Sequence, residues 1–240
     1  MPSMFIIPHG ISAVDLIAPI WFIVCWAGYS VIADLMSRKR NSLLVIINEH
    51  RVNWMHQMLK RENRMMDATL IGNLLRSISF FASTTIFIVL ALFTLLKYRE
   101  DASGILTHIP YAEPTTPVLW EVKVFLLIVI FVYTFFKHTW SLRQYNYVCV
   151  LVGAAPYING PQNWDAEEYA KNTARLISNA SKHFNAGLRA YYFGLAAISW
   201  FINGWAFMLI STLVVWVLYR REFRSQVLRY MTDAMAHVEK

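Results

Sequence analysis

Residues 117–136 decide the fold, and their sequence is Pro117-Val-Leu-Trp-Glu-Val-Lys-Val-Phe-Leu-Leu-Ile-Val-Ile-Phe-Val-Tyr-Thr-Phe-Phe136. As a helix rising 1.5 Å per residue, this stretch crosses about 30 Å of hydrocarbon. Polar residues follow at 137–146, and a second apolar run then continues to Ala155. The whole segment is longer than a bilayer requires. We therefore expect either a helix that projects past the headgroups or a break near Ser141.

The composition points to lipid as the solvent of such segments. The 240 residues are 57% hydrophobic and 15% charged, whereas soluble chains carry roughly 25% charged residues. We therefore expect a membrane protein and not a soluble fold. The two cysteines, Cys25 and Cys149, lie inside apolar runs, which excludes a disulfide scaffold and a Cys-rich metal site.

The net charge of +7 raises the question of an anionic partner. The basic residues flank the apolar runs and build no single basic face, and no nucleic-acid-binding motif is present. We expect the partner to be a lipid bilayer with anionic headgroups, and we expect no nucleic acid.

The other apolar runs complete the predicted architecture. We expect an all-α polytopic membrane protein, in which residues 1–240 form a single membrane domain with four transmembrane helices and two amphipathic surface helices. The spans are predicted at about 14–35, 70–96, 117–153 and 190–219. The amphipathic helices are predicted at about 43–67 and 165–183, where Asp165 and Glu168 have capping-box spacing.

The distribution of Lys and Arg predicts the orientation. The connection 36–69 is rich in both, whereas the connection 97–116 carries only Lys97 and Arg99 against three acidic residues. The positive-inside rule therefore places the first connection inside and the N-terminus outside.

The C-terminal tail conflicts with that orientation. Four full crossings put Arg220, Arg221 and Arg224 outside. Either the last span turns back at Asn203-Gly204, or the rule fails at the last helix. The sequence favours the second explanation, because no residue between Ala190 and Tyr219 is polar enough for a convincing re-entrant tip.

Five blocks of the sequence, in order, resemble a family of bacterial and plant membrane proteins catalogued as domain of unknown function 599. The resemblance runs from about residue 45 to 223, in the blocks Arg51–Arg61, Ser79–Thr85, Trp140–Asn146, His183–Tyr192 and Leu218–Glu222. It implies a four-helix integral membrane protein, with the bacterial inner membrane as its expected location. It implies no catalytic residue.

A polar stripe in the second span is the first candidate site. Gly72, Arg76, Ser79 and Ser83 follow at i, i+4, i+7 and i+11, so they share one helix face. In one interpretation Arg76, Ser79 and Ser83 line a solute pathway, because an arginine near hydrocarbon should face protein or water. In the other, small residues allow close helix packing while Arg76 reaches the inner headgroups.

Cationic groups at the inner membrane boundary are the second candidate site. They could converge into a vestibule that binds an anion or a lipid headgroup. The alternative is an ordinary positive-inside collar with aromatic anchors. The residues concerned are Arg51, Arg61, Lys137, Arg143, His183 and Arg189.

The sequence offers little support for a cofactor or for catalysis. His138 and His183 are weak candidates for haem ligands, because both lie near segment ends. The chain contains no His-Glu-x-x-His and no Gly-x-Ser-x-Gly motif. We expect no bound cofactor, no metal and no catalytic residue.

Three functions follow as hypotheses. The first is a channel-like or transporter-like protein that moves an ion or a small solute, including an anionic one. The alternative is a non-catalytic accessory or scaffold subunit of a larger membrane complex, and the third is a haem-binding or lipid-acting membrane enzyme. Ala190 and Gly194 are four residues apart, and so are Ser199 and Asn203, which is the spacing of close helix contacts and favours a homo-oligomer or a subunit of a complex.

Overall fold

A computed structural model of the protein describes residues 12–36, 43–97, 115–157 and 164–236. Every regular element within these ranges is a helix, so the predicted all-α class is confirmed. The charged connections 37–42 and 98–114 used in the orientation argument lie outside the described residues. The helices are α1 (Ala13–Met36), α2 (Leu43–Lys60), α3 (Met65–Lys97), α4 (Pro117–Ala154), α5 (Ala166–Ile198), α6 (Gly204–Phe223) and α7 (Gln226–Ala236).

Side-chain caps fix the starts of three helices. Thr116 accepts a hydrogen bond from the backbone N–H of Leu119 at the start of α4, where Pro117 occupies the first turn. Asp165 accepts from the N–H of Glu168 at 2.9 Å, as its spacing predicts. Asn203 accepts from the N–H of Ala206 at 2.7 Å. Each cap satisfies a backbone donor that the first helical turn leaves without a partner.

Helix α4 is continuous through Ser141, so the segment projects and does not break. Its 38 residues measure about 57 Å at 1.5 Å per residue. That length is nearly twice the hydrocarbon thickness of a bilayer, which is about 30 Å.

Helices α3 and α5 lie antiparallel to α4 on two of its sides. Trp120 and Phe201 meet near the first end of α4, with ring centroids 5.0 Å apart, and the Tyr169 hydroxyl donates to the Leu151 carbonyl near the other end. On α3, Phe81 packs against His138 of α4, with ring centroids 5.8 Å apart. The three long helices therefore run together through the whole molecule.

Two separate apolar cores divide this structure along its length. The first, which we call the bundle core, joins α1, α6, the first half of α4 and the last part of α5 around Phe22, Phe193 and Phe207. The second, which we call the head core, joins α2 to the opposite ends of the long helices around Met55, Met58 and Ile177. We refer to the corresponding parts of the protein as the bundle and the head.

The predicted span 190–219 is not one helix, which corrects the sequence-based expectation. Helix α5 ends at Ile198, a single 3-10 turn covers Ser199–Phe201, and α6 begins at Gly204. Arg221 of α6 donates to the Tyr192 hydroxyl at 2.9 Å, and Phe207 stacks on Trp200. Helix α6 therefore runs back along α5.

Close packing beside the reversal explains why a glycine begins α6. A Cβ on Gly204 would lie 2.7 Å from Cγ1 of Val14. Farther along, Trp21 of α1 donates to Thr212, and the Tyr29 hydroxyl donates to Glu222 at 2.8 Å. Helix α6 is thus parallel to α1 and antiparallel to α5, and its C-terminal end lies on the head side.

The two predicted amphipathic helices also have different bounds from those expected. The helix expected over 43–67 ends at Lys60, and α3 begins at Met65 instead of residue 70. An ion pair between Arg61 and buried Asp67 (2.6 Å) closes the turn between them. The helix expected over 165–183 is the first half of α5, which continues without interruption into the bundle.

Among the residues that the structure describes, three helices are long and apolar enough to cross a membrane: Ala13–Ala33 of α1, α3 and α4. Many of their large apolar side chains are exposed on the outside of the molecule, for example Ile20, Phe87 and Phe125. Exposed apolar surface of this extent is typical of a membrane protein. The predicted membrane character is therefore supported by three helices.

Candidate functional site

A buried histidine lies in the layer between the two cores. His138 of α4 has no exposed surface, and neither of its ring nitrogens has a hydrogen-bond partner among the described residues. A buried polar group without a partner costs about 1–3 kcal/mol. Such groups are rare in native folds. In membrane proteins, ionisable groups inside the membrane-spanning segments commonly belong to functional sites.

Aromatic rings from two neighbouring helices surround this imidazole. Phe81 of α3 and Phe184 and Tyr191 of α5 lie with ring centroids 5.4–5.8 Å from that of His138. Gly187 permits the approach of α5, because a Cβ at this position would lie 2.4 Å from Nε2 of His138. The helices α3, α4 and α5 thus hold the ring in a closed, largely apolar cage.

Polar groups lie above and below the cage on the same face of α4. Thr134, His138, Ser141 and Tyr145 follow at i, i+4, i+7 and i+11, and all four are buried. The last three contact α5. We call this set the α4 polar stripe. It runs from the bundle, through the histidine layer, into the head.

A hydrogen-bonded network extends the α4 polar stripe through the head. The Ser141 hydroxyl donates to the Ala180 carbonyl at 2.7 Å, and the hydroxyls of Tyr145 and Ser181 are 2.6 Å apart. Arg51 of α2 donates to Ser181 at 2.7 Å. Burial lowers the pKa of the Arg51 guanidinium, and its neighbour Tyr145 opposes that effect. The half-buried Arg51 therefore connects the head surface to the interior.

A second polar contact flanks the cage on the bundle side. The hydroxyls of Thr85 and Tyr191 are 2.8 Å apart, and each also bonds to the Phe81 carbonyl. Hydroxyl groups can both donate and accept, so this pair can relay a hydrogen bond. The unpartnered imidazole therefore lies between two hydroxyl-bearing groups.

The predicted pathway stripe of α3 lies elsewhere. The buried face of α3 carries Ile71, Ile78 and Thr85, whereas Arg76 and Ser83 are exposed and Ser79 is only partly covered. Arg76 donates to Asn73 one turn away on the same helix. These three residues therefore share one face, as predicted, but that face is on the outside of the chain.

The predicted vestibule residues fall into three places. Lys137, Arg143 and His183 line one groove of about 690 Å³ on the outer side of α4, together with Trp140 and Tyr133. Arg51 and Arg61 are bonded within the head. Arg189 lines a different cleft, between α2 and α5.

The two histidines considered as haem ligands do not face each other. His183 packs against Trp140 in the outer groove, whereas His138 points into the cage. Burial, with Lys137 and Lys182 nearby, lowers the pKa of His183. Within the described part of the chain, no group of three or more His, Cys, Asp or Glu side chains is placed to hold a metal ion.

Of the residues in this site, the sequence singles out only His138, as a weak candidate for a haem ligand. The spacing of Thr134, His138, Ser141 and Tyr145 is visible in the sequence and was the available signal. The pattern is difficult to recognise in the sequence, because Thr134 lies in the apolar run and the other three residues lie in the polar segment that follows.

The sequence profile of one protein family matches residues 17–227. The chain belongs to the DUF599 family of proteins of unknown function. This confirms the predicted resemblance, and the match covers both the bundle and the head. Comparison with the curated proteins and with the solved structures found no match.

Proposed function

We propose that this member of the DUF599 family is a transporter-like membrane protein that moves an ion or a small solute. His138 is the group that binds the transported species or a coupling proton. The observation that carries the proposal is a completely buried imidazole without a hydrogen-bond partner, on a helix that is apolar enough to cross a membrane. Ionisable groups in that position mark ion and proton pathways in membrane proteins.

The polar groups around His138 supply a route on each side. Toward the head, the α4 polar stripe leads through Ser141 and Tyr145 to Arg51. Toward the bundle, it continues with Thr134 and with the Tyr191–Thr85 pair. Because α5 packs tightly against His138 at Gly187, the proposed passage requires α5 to move relative to α4.

The proposed arrangement in the membrane has five crossings, with the N-terminus outside and the head inside. The crossings are α1, the bundle parts of α3, α4 and α5, and α6. Trp120 and His138 are separated by about 27 Å along α4 at 1.5 Å per residue, which matches the hydrocarbon thickness. Five crossings put Arg220, Arg221 and Arg224 inside, in agreement with the positive-inside rule. We place the protein in a bacterial inner membrane.

Flux through proteoliposomes tests the role of His138. Purified protein is reconstituted into liposomes, where an internal pH dye follows proton flux and radiolabelled chloride and phosphate follow the flux of each anion. We expect flux of at least one of them and at least a ten-fold decrease with His138→Gln, which keeps a polar side chain but takes up no proton. His138→Asn, a smaller amide, serves as the second variant.

Arg76→Ala is the matched control, because Arg76 is exposed on α3 and outside the proposed route. We expect its flux to remain within two-fold of wild type. Wild-type flux in His138→Gln contradicts the proposal, and so does the lack of flux of all three species. Loss of flux in Arg76→Ala alone would place the pathway on the α3 stripe of Arg76, Ser79 and Ser83, between neighbouring chains.

A second candidate function is that of a subunit in a larger membrane complex or homo-oligomer. It is favoured by apolar side chains that are exposed on the head, beyond the bundle. Met65 is 72% exposed, Val150 67% and Tyr147 47%. Surface of this kind outside a bilayer is typical of a protein contact. Co-purification of a partner, or of further copies, at fixed stoichiometry after mild solubilisation tests this candidate.

A further inference from the structure

A basic cleft separates α2 from the head half of α5. Its volume is about 320 Å³. Helix α2 contributes one wall through Leu44, Asn48 and Val52, and α5 contributes the other. We call it the α2–α5 cleft. It lies on a different side of the molecule from the outer groove of Lys137 and His183.

Three cations line the α5 wall at regular intervals. Arg175, Lys182 and Arg189 each lie seven residues after the previous one, so they share one helix face. At 1.5 Å per residue, neighbouring cations are about 10 Å apart along the helix. Residues 169–198 contain no Asp or Glu. The wall therefore has one sign of charge, whereas an ordinary solvated helix face mixes both.

Neutral donors lie between these cations. Asn185 belongs to the same wall, and Asn48 faces it from α2 with its amide nitrogen, since its carbonyl oxygen accepts from Arg51. Asn179 also lines the wall, but it donates to Gln144 of α4 at 2.8 Å. Amide N–H groups interleaved with Lys and Arg suit an oxyanion that has several acceptor oxygens, above all a phosphate group.

The bundle end of the cleft opens beside a recess with both apolar and charged walls. A neighbouring cavity of about 150 Å³ shares Leu44, Asn185 and Arg189 with the cleft. Leu188 and Leu218 are among its apolar walls, and it also contains Glu222, which accepts from Tyr29. A ligand with its anionic group in the cleft can therefore place an apolar part toward the bundle.

We propose that the α2–α5 cleft binds a phosphate-bearing anion, either the headgroup of an anionic phospholipid or a free phosphate compound. Lys182 and one of its two neighbouring arginines hold the phosphate oxygens, because adjacent cations are about 10 Å apart and their side chains can converge, and Asn48 and Asn185 complete the hydrogen bonds. This site is separate from the histidine cage, and it does not depend on the proposed transport function.

Calorimetric titration of the full-length protein in neutral detergent tests this site. The probes are short-chain phosphatidylglycerol, short-chain phosphatidylcholine and inorganic pyrophosphate. The variant is Arg175→Gln with Lys182→Gln, since both side chains are exposed and their loss leaves the helix contacts intact. The matched control is Arg220→Gln with Arg224→Gln, two exposed cations of α6 and its C-cap outside the cleft.

We expect the cleft variant to weaken binding of the anionic probe at least ten-fold and the control to change it less than two-fold. Binding of phosphatidylglycerol alone identifies a lipid headgroup as the ligand, and comparable binding of pyrophosphate identifies a free phosphate compound. Equal losses in both variants, or equal binding of phosphatidylcholine, show a general basic collar and overturn the proposal. Asn185→Ala, which removes no charge, gives a second test and should weaken binding at least two-fold.

Discussion

Gly187 decides how closely two of the long helices approach at the histidine layer. Replacing it with Ala puts a methyl group 2.4 Å from the His138 ring, so the cage must expand. Overpacking of a buried contact costs about 1–3 kcal/mol. We expect Gly187→Ala to lower the melting temperature of the purified protein. Gly72→Ala is the control, because nothing lies within 4 Å of a Cβ there, and it should leave the melting temperature unchanged or raise it.

Asp67 is the residue on which the turn between α2 and α3 depends. It is completely buried and accepts hydrogen bonds from Arg61 at 2.6 Å and from the indole of Trp54 at 2.7 Å. Asp67→Ala leaves both donors without their acceptor, and we expect a loss of about 1–3 kcal/mol in stability. Thermal unfolding measures it. Lys171→Ala breaks an exposed ion pair with Glu167 and should give no measurable change; equal effects would contradict this account.

The reversal between α5 and α6 is the element that most changes the architecture. Asn203 caps α6 through Ala206, and loss of an N-cap costs about 0.5–2 kcal/mol. We therefore expect Asn203→Ala to lower the melting temperature, whereas Asn203→Asp, which is also a good N-cap, should preserve it. An equal decrease in both variants would show that the amide has a different role.

Sequence patterns predicted the positions of the helices better than they predicted which face of each helix is buried. The apolar runs located α1, α3 and α4, and Asp165 located the start of α5. The reversal at Asn203 was not favoured, because it depends on contacts of Gly204 with Val14 and of Trp200 with Phe207 that a single sequence does not reveal.

The sequence also did not indicate which face of α3 is buried. The physical reason is that lipid surrounds a membrane protein. In water the apolar face of a helix is the buried one, but in a bilayer the outside is apolar too. A polar stripe such as that of Arg76 and Ser83 therefore gave no reliable indication of the interior. The buried residues of α4 required three-dimensional contacts with α5 to be recognised.

At the scale of the whole molecule, the position of the chain ends tests the five-crossing arrangement. In a variant lacking Cys25 and Cys149, single cysteines are introduced at the exposed positions Val118, Glu167 and Asp233. An impermeant maleimide added to intact cells should label Val118→Cys alone, and Glu167→Cys and Asp233→Cys only after permeabilisation. Labelling of Asp233→Cys in intact cells would show four crossings instead.

Helix α4 belongs to both cores, and this has a mechanical consequence. One part of this continuous helix is packed in the bundle core and the other in the head core, with His138 between them, so a rigid tilt of the helix moves both parts. At 1.5 Å per residue, a tilt of about 5° over its full length moves one end by about 5 Å relative to the other. A movement of the head that tilts α4 by this angle therefore displaces the opposite end of the bundle.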